Sequence, residues 1–150
     1  MADYAYNRRA AYDYESLQKY EAGLVLTGQE VKSIRGGHIS LNGAYVVIRG
    51  EEAWLLNANV PPYQPQNTPS DYDPTRSRKL LLHKDEIRTL LGQTKQTRLT
   101  LVPIRVYNKS GKIKIEFALA RGKHELDKRS KITRREADRR IRRALRGKIE

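Results

Sequence analysis

The chain carries three histidines, His38, His83 and His124, each in a different segment and none in an HxxxH or HExxH arrangement. No Ser-His-Asp grouping or carboxylate constellation accompanies them, and there is no cysteine. Thiolate zinc sites, disulfide scaffolds and cysteine nucleophiles are therefore excluded. No catalytic residue, metal site or cofactor is expected, and the protein reads as a non-enzyme. The residues with chemistry to offer are of another kind. Tyr4, Tyr6, Tyr12, Tyr14 and Tyr20 fall in the first 20 positions, interleaved with Arg8, Arg9 and Lys19. Aromatic rings beside arginines stack on unpaired bases and hold phosphates, and tyrosines equally serve as partial core. Glu21, followed directly by Ala22-Gly23, is an odd charge in this basic, aromatic neighbourhood. It reads as a surface salt bridge, as an acceptor for base amino groups, or as the organiser of an RNA-facing arginine.

Thirty Lys and Arg against 17 Asp and Glu in 150 residues give a formal net charge of +13, so the molecule calls for a polyanion. RNA, DNA and an anionic membrane surface all satisfy that demand. No apolar run approaches the roughly 20 residues that span a bilayer, and no signal peptide opens the sequence, which points to the cytoplasm. The charge is unevenly placed. Residues 1–120 hold 17 basic and 12 acidic groups, whereas residues 121–150 hold 13 basic and five acidic ones. The chain divides into a balanced body, 1–120, and a basic tail, 121–150.

Positioning elements in the body follow period-2 patterns. Ile113, Ile115, Phe117 and Leu119 alternate with Lys112, Lys114, Glu116 and Ala118 as in a half-buried strand. Leu99, Leu101, Val102, Ile104 and Val106 form its neighbour, with Pro103 marking an edge or a bulge. Asn108-Lys109-Ser110-Gly111 joins the two as a hairpin. A second hairpin runs from Ala44–Ile48 through Arg49-Gly50-Glu51 to Ala53–Leu56, and Glu21–Leu26 makes a further strand that the preceding stretch could extend. Thr27-Gly28-Gln29-Glu30 fits a capping box for a helix ending at Gly36-Gly37. A second helix runs from Lys84 to Leu91 with Gly92 as terminator. The Pro-rich connection from Pro61 to Pro74 is long enough to be functional or mobile. Five or six short strands with few helices indicate a mainly β fold, a small antiparallel barrel. In the tail, Thr133-Arg134-Arg135-Glu136 opens a third helix that Gly147 stops. Its seven arginines over Arg134–Arg146 and narrow apolar stripe leave it partly disordered alone and helical against a polyanion.

Several blocks, in order, resemble the small protein B family, the tmRNA-binding proteins of bacterial trans-translation. They are Asn7-Arg8-Arg9-Ala10 with Asp13-Tyr14 and Glu21-Ala22-Gly23-Leu24; the helix Gly28–Gly37; and Asp73-Pro74-Thr75-Arg76-Ser77-Arg78-Lys79-Leu80-Leu81-Leu82-His83. Thr100-Leu101-Val102-Pro103, Ala120-Arg121-Gly122-Lys123 and Asp127-Lys128-Arg129 complete the set. The resemblance implies an oligonucleotide-binding-like antiparallel β-barrel with flanking helices and a basic C-terminal tail. It implies a protein that binds the tRNA-like domain of tmRNA and carries it to stalled ribosomes, where the tail occupies the empty decoding centre and mRNA channel. By position in the matched blocks, Glu21, Leu81 and Lys114 correspond to tmRNA-binding residues, joined by Asn7, Arg9 and Gly23. Arg121, Gly122, Lys123, Asp127, Lys128 and Arg129 correspond to the decoding-centre and channel segment, with Arg134, Arg135, Arg139 and Arg142 following in the tail. Tyr12 belongs with them and departs from the family, which commonly carries His there. The implied partners are tmRNA, small-subunit ribosomal RNA and, through alanyl-tmRNA only, elongation factor Tu, with a monomeric protein and no membrane. A general RNA-binding or ribosome-assembly protein shares the charge and the barrel, and an RNA-processing enzyme would need a metal or an acid–base pair.

Overall fold

The computed structural model describes residues 3–95 and 98–122. Its elements in chain order are β1 (Asp3–Tyr6), α1 (Arg8–Asp13), β2 (Tyr14–Leu24), α2 (Gly28–Arg35), β3 (Tyr45–Arg49), β4 (Glu52–Leu56), β5 (Arg78–Leu81), α3 (Lys84–Thr94), β6 (Leu99–Lys109) and β7 (Lys112–Gly122), with one 3-10 turn at Pro65–Asn67. All strand pairings are antiparallel. The fold is mainly β with short helices, as the sequence predicts. The pairings run β6–β3–β4–β5–β2–β7 and return to β6, while β1 lies along the other edge of β6. Two joints of that circuit are short: β3 meets β6 only at Val46↔Leu101, and β2 meets β5 only at Gly23↔Leu81 and Leu24↔Leu80.

The alternation in β7 is realised side chain by side chain. Ile113, Ile115, Phe117 and Leu119 are all buried in the main core, against Leu55, Leu80, Leu90 and Leu101. Ala118 and Ala120, on the opposite face, are buried too, because α1 lies over that end of the hairpin and packs Ala10 against Val102 and Ala120. The hairpin turn has φ of 53° at Ser110 and 76° at Gly111, the two left-handed residues a two-residue primed turn demands. Pro103, which has no amide hydrogen to give the ladder, sits where the β6–β7 register slips before Arg105. Its carbonyl is not wasted: it accepts the Asn7 side-chain amide at 3.0 Å.

The capping box of α2 forms as expected, with Thr27 accepting the Glu30 amide at 3.3 Å and the Glu30 carboxylate accepting the Thr27 amide at 2.9 Å. The helix gives way at Gly36 and Gly37, the latter at φ +84°. Other expectations need correction. α3 does not stop at Gly92 but runs on to Thr94, since Gly92 faces open space and keeps helical backbone, at a modest propensity cost. The Pro-rich connection is also fastened more tightly than its composition suggests. The Pro61 carbonyl accepts Ser33 Oγ at 2.7 Å, the Val60 carbonyl accepts the Tyr72 hydroxyl, and the Val60 amide donates to the Pro74 carbonyl at 3.0 Å.

Candidate nucleic-acid interface

Glu30 and Arg78 have essentially no exposed surface, so their charges must satisfy one another. Arg78 Nε donates to Glu30 Oε2 at 2.6 Å, its two terminal nitrogens donate to the Ala58 and Pro74 carbonyls at 2.8 and 2.9 Å, and Arg76 forks onto the same carboxylate. Burial pushes the Glu30 carboxyl up, but the two guanidiniums and the Thr27 amide outweigh it and hold the group below its ordinary value. This cluster ties α2, the Pro-rich connection and the start of β5 together. It is a structural anchor for what lies beside it.

Just past the anchor, β5 delivers Leu81 to the surface, 55% exposed. In the ladder, Leu81 stands opposite Gly23 of β2, and Gly23 stands opposite Lys114 of β7. Three of the sequence-predicted residues thus lie side by side across three strands. Gly23 is what allows it: a Cβ there would meet Leu81 Cδ1 at 3.3 Å and Leu81 Cβ at 3.4 Å, tighter than ordinary contact. Glu21, two residues earlier in β2, points to the same face. All four line one open groove of about 520 Å³.

Glu21 is not a loose charge. Its carboxylate accepts the Tyr107 hydroxyl and, at 3.1 and 3.2 Å, the Lys109 ammonium. The Tyr107 bond foremost, then Lys109 and the nearby Lys114, hold the carboxyl below its ordinary value against a contrary effect of burial. Burial first, and then the bond to Glu21, push the Tyr107 hydroxyl well up. Arg105 covers the Tyr107 ring, with its guanidinium carbon 4.1 Å from the centroid, and pairs with Asp3 at 3.0 Å and Glu116 at 3.2 Å. The sequence reading missed Tyr107 and Lys109 as the holders of Glu21. Their signal was available in the alternation of β6, where both lie on the face opposite Val106.

Asn7 and Arg9 belong to a different groove, of about 430 Å³, between α1, Tyr45 and β6. Asn7 is buried and internally committed: its Oδ1 caps α1 by accepting the Ala10 amide at 3.2 Å while its Nδ2 holds Pro103. Arg9 is exposed and forms a loose i,i+4 pair with Asp13 at 3.8 Å. Tyr12, also on α1, is 65% exposed. The early tyrosines divide between core and surface. Tyr4, Tyr14 and Tyr20 pack against buried residues, Tyr20 stacking on Phe117 at 5.6 Å, whereas Tyr6 and Tyr12 stand out in solvent. Arg121 and Gly122 lie at the end of β7, opposite Glu15 and Tyr14. Lys123, Asp127, Lys128, Arg129, Arg134, Arg135, Arg139 and Arg142, and the expected tail helix, lie outside the described residues. Among the described residues, no group of three or more His, Cys, Asp or Glu is gathered in a way that could hold a metal ion.

Comparison with known proteins extends this geometry. The family described as SmpB protein matches residues 4–147. The SsrA-binding protein of Sulfurihydrogenibium sp. is 49% identical over 97% of this chain and 95% of its own length. Those of Trichodesmium erythraeum and Desulforudis audaxviator are each 50% identical, over 93% and 95% of this chain and 89% and 92% of theirs. Among solved structures, a chain from "tmRNA-SmpB: a journey to the center of the bacterial ribosome" superposes with a TM-score of 0.65 at 47% identity, covering 79% of this chain and 82% of that one.

Proposed function

The chain belongs to the SmpB protein family, and from that membership we propose that it binds the tRNA-like domain of tmRNA and delivers it to stalled ribosomes for trans-translation. The observation that carries this to particular residues is the cross-strand row Leu81–Gly23–Lys114 with Glu21 beside it. Folded RNA with splayed bases offers apolar faces, amino groups and phosphates. Leu81 meets the first, the ionised Glu21 accepts from the second, and Lys114 neutralises the third. Gly23 keeps the row low enough for close approach. Asn7 acts by position: capping α1, it sets the direction in which Arg9 leaves the surface.

A second contact, with the small-subunit decoding centre and mRNA channel, falls to Tyr12, Arg121, Gly122 and Lys123, and then to Asp127, Lys128, Arg129, Arg134, Arg135, Arg139 and Arg142. Exposed Tyr12 supports the first part, since a phenol ring stacks on a base as well as an imidazole does, though it brings no positive charge. The excess of arginine supports the second. No covalent chemistry is asked of this chain, because peptide transfer belongs to the ribosome and to tmRNA. Elongation factor Tu is met only through alanyl-tmRNA, and the protein works as a cytoplasmic monomer. No helix of the described residues is long and apolar enough to cross a membrane.

The test is the RNA that co-purifies with the tagged protein from cells, followed by titration of Leu81→Ala and Lys114→Gln against the isolated tRNA-like domain. A single abundant RNA with a tRNA-like end, and weakened binding at unchanged melting temperature, are expected. A mixture of ribosomal fragments bound equally by both variants would leave only a general RNA-binding protein.

A further inference from the structure

The row Leu81–Gly23–Lys114 is a crest between two grooves, and the two are electrically unlike. On the Glu21 side, the groove contains Glu51, Glu52 and Glu86 as well as lysines, and the charges are partly matched, Lys79 with Glu52 at 3.3 Å. On the other side, a groove of about 330 Å³ between α2 and the β6–β7 turn is lined by apolar side chains and by Arg35, Lys112 and Lys114, with no carboxylate. None of these three cations has a carboxylate within 4.0 Å among the described residues. Arg35 is held in place by a neutral partner, its terminal nitrogen donating to the Gly111 carbonyl at 2.9 Å. Lys112 and Lys114, two residues apart on one strand, leave it on the same face, their Cα atoms about 7 Å apart. Cations without a carboxylate in contact, gathered along a groove, are an electrostatic seat for a phosphate backbone, while a groove edged with carboxylates repels one.

We propose that the RNA bound at the crest runs its phosphate backbone down the α2 side, over Lys114, Lys112 and Arg35, and turns its bases and riboses toward the carboxylate-edged groove. The inference rests on the proposed binding of the tRNA-like domain and gives that interface a polarity. Arg35 and Lys112 become phosphate contacts, additional to the residues predicted from sequence. The acidic side reads amino and hydroxyl donors, which is where preference for one RNA over another resides.

The experiment is titration of the full chain with the isolated tRNA-like domain of tmRNA over a series of salt concentrations. Wild type is compared with Arg35→Gln, Lys112→Gln, the double variant, Leu81→Ala and Glu51→Gln, each checked for melting temperature. Each lost phosphate contact lowers the slope of log affinity against log salt by about 0.7–0.9, so the double variant should lose about 1.4–1.8. Leu81→Ala should weaken binding at all salts with the slope kept, and Glu51→Gln should leave the slope alone. Lys112→Gln keeps the test sound if loss of the Arg35–Gly111 bond lowers the melting temperature, because exposed Lys112 makes no such bond. Unchanged slopes in the Arg35 and Lys112 variants, with Leu81→Ala still impaired, would overturn the phosphate path and leave the tmRNA reading standing. A slope that Glu51→Gln raises as much as Lys112→Gln lowers it would overturn it too, since net charge alone would then explain both. Wild type failing to bind this RNA would overturn both readings together.

Discussion

A carboxylate with no exposed surface, clasped by two arginines, is the most consequential single residue outside the crest. Removing one partner of such a cluster strands the other in a poor solvent, typically at a cost of about 3–5 kcal/mol. Arg78→Ala should therefore destabilise by roughly that amount in urea unfolding, and a loss under about 1 kcal/mol would mean that water or Arg76 compensates. Glu30 and Glu21 also set the acid limb of stability. Both carboxyls hold protons less tightly when folded than the ordinary value of 4.5, so the unfolded chain takes up more protons as pH falls. The stability these two groups contribute is then present above about pH 4.5 and is lost below it as the folded groups titrate. A Glu30→Gln variant should show a flatter fall between pH 5 and pH 3 by thermal melting (about the range in which carboxylates titrate), and an unchanged profile would remove Glu30 from the account. Glu21→Lys should weaken tmRNA binding far more than it lowers the melting temperature, since the carboxylate is partly exposed and its partner Lys109 can turn to solvent. Equal losses would make Glu21 a brace for Tyr107 and nothing more. Little of this was legible in the sequence. Arg76 and Arg78 stood out as members of a motif, but nothing in a string of alternating Arg and Ser tells which guanidinium goes inside.

At the scale of elements, legibility followed the number of faces buried. The first half of β7 was readable because one face meets the core and the other is more open, which writes a period into the residues, and α2 was readable from its capping box and its terminal glycines. The first half of β2 was legible only as a stretch that could extend the strand, since Glu15 to Lys19 are exposed on both faces and carry no alternation. α1, only six residues long, has no room for a helical period, and its evidence lies in the Asn7 cap and the Ala10 contact. β5 was hidden inside a short apolar run that serves a strand, a crest and the approach to α3 in turn. The same element scale yields a separable prediction about the crest. Gly23→Ala puts a methyl group against Leu81, which is exposed enough to swing away, so the fold should survive. Restricting the unfolded chain even favours the variant by about 0.4–1 kcal/mol if no strain remains. Affinity for the tRNA-like domain should fall several-fold, and adding Leu81→Ala should cost little more, because both changes act on one side chain. Full additivity in that double-mutant cycle would separate Gly23 from Leu81 and require another reason for the glycine.

For the whole molecule, the division of charge predicts a division of labour. Ending the chain after Arg129 removes nine basic and three acidic residues. Binding of tmRNA should persist, weakened several-fold by the lost general attraction for phosphate, while tagging on stalled ribosomes should be lost. If tagging survives, the tail is a tether; if tmRNA binding vanishes with it, the tail belongs to the tmRNA site. The circuit of strands carries one more implication, about time. β1 finds its partner in β6, and β2, apart from two residue pairs with β5, finds its own in β7: Asp3 meets Tyr107, Tyr14 meets Gly122 and Gly23 meets Lys114. Those pairs lie about a hundred positions apart, so closing them is entropically expensive and slow compared with forming a local hairpin. A nascent chain halted short of β7 leaves β2 without most of its ladder and cannot form the row Leu81–Gly23–Lys114. Such a shortened product lacks the crest altogether, and with it the surface on which the proposed RNA contact depends.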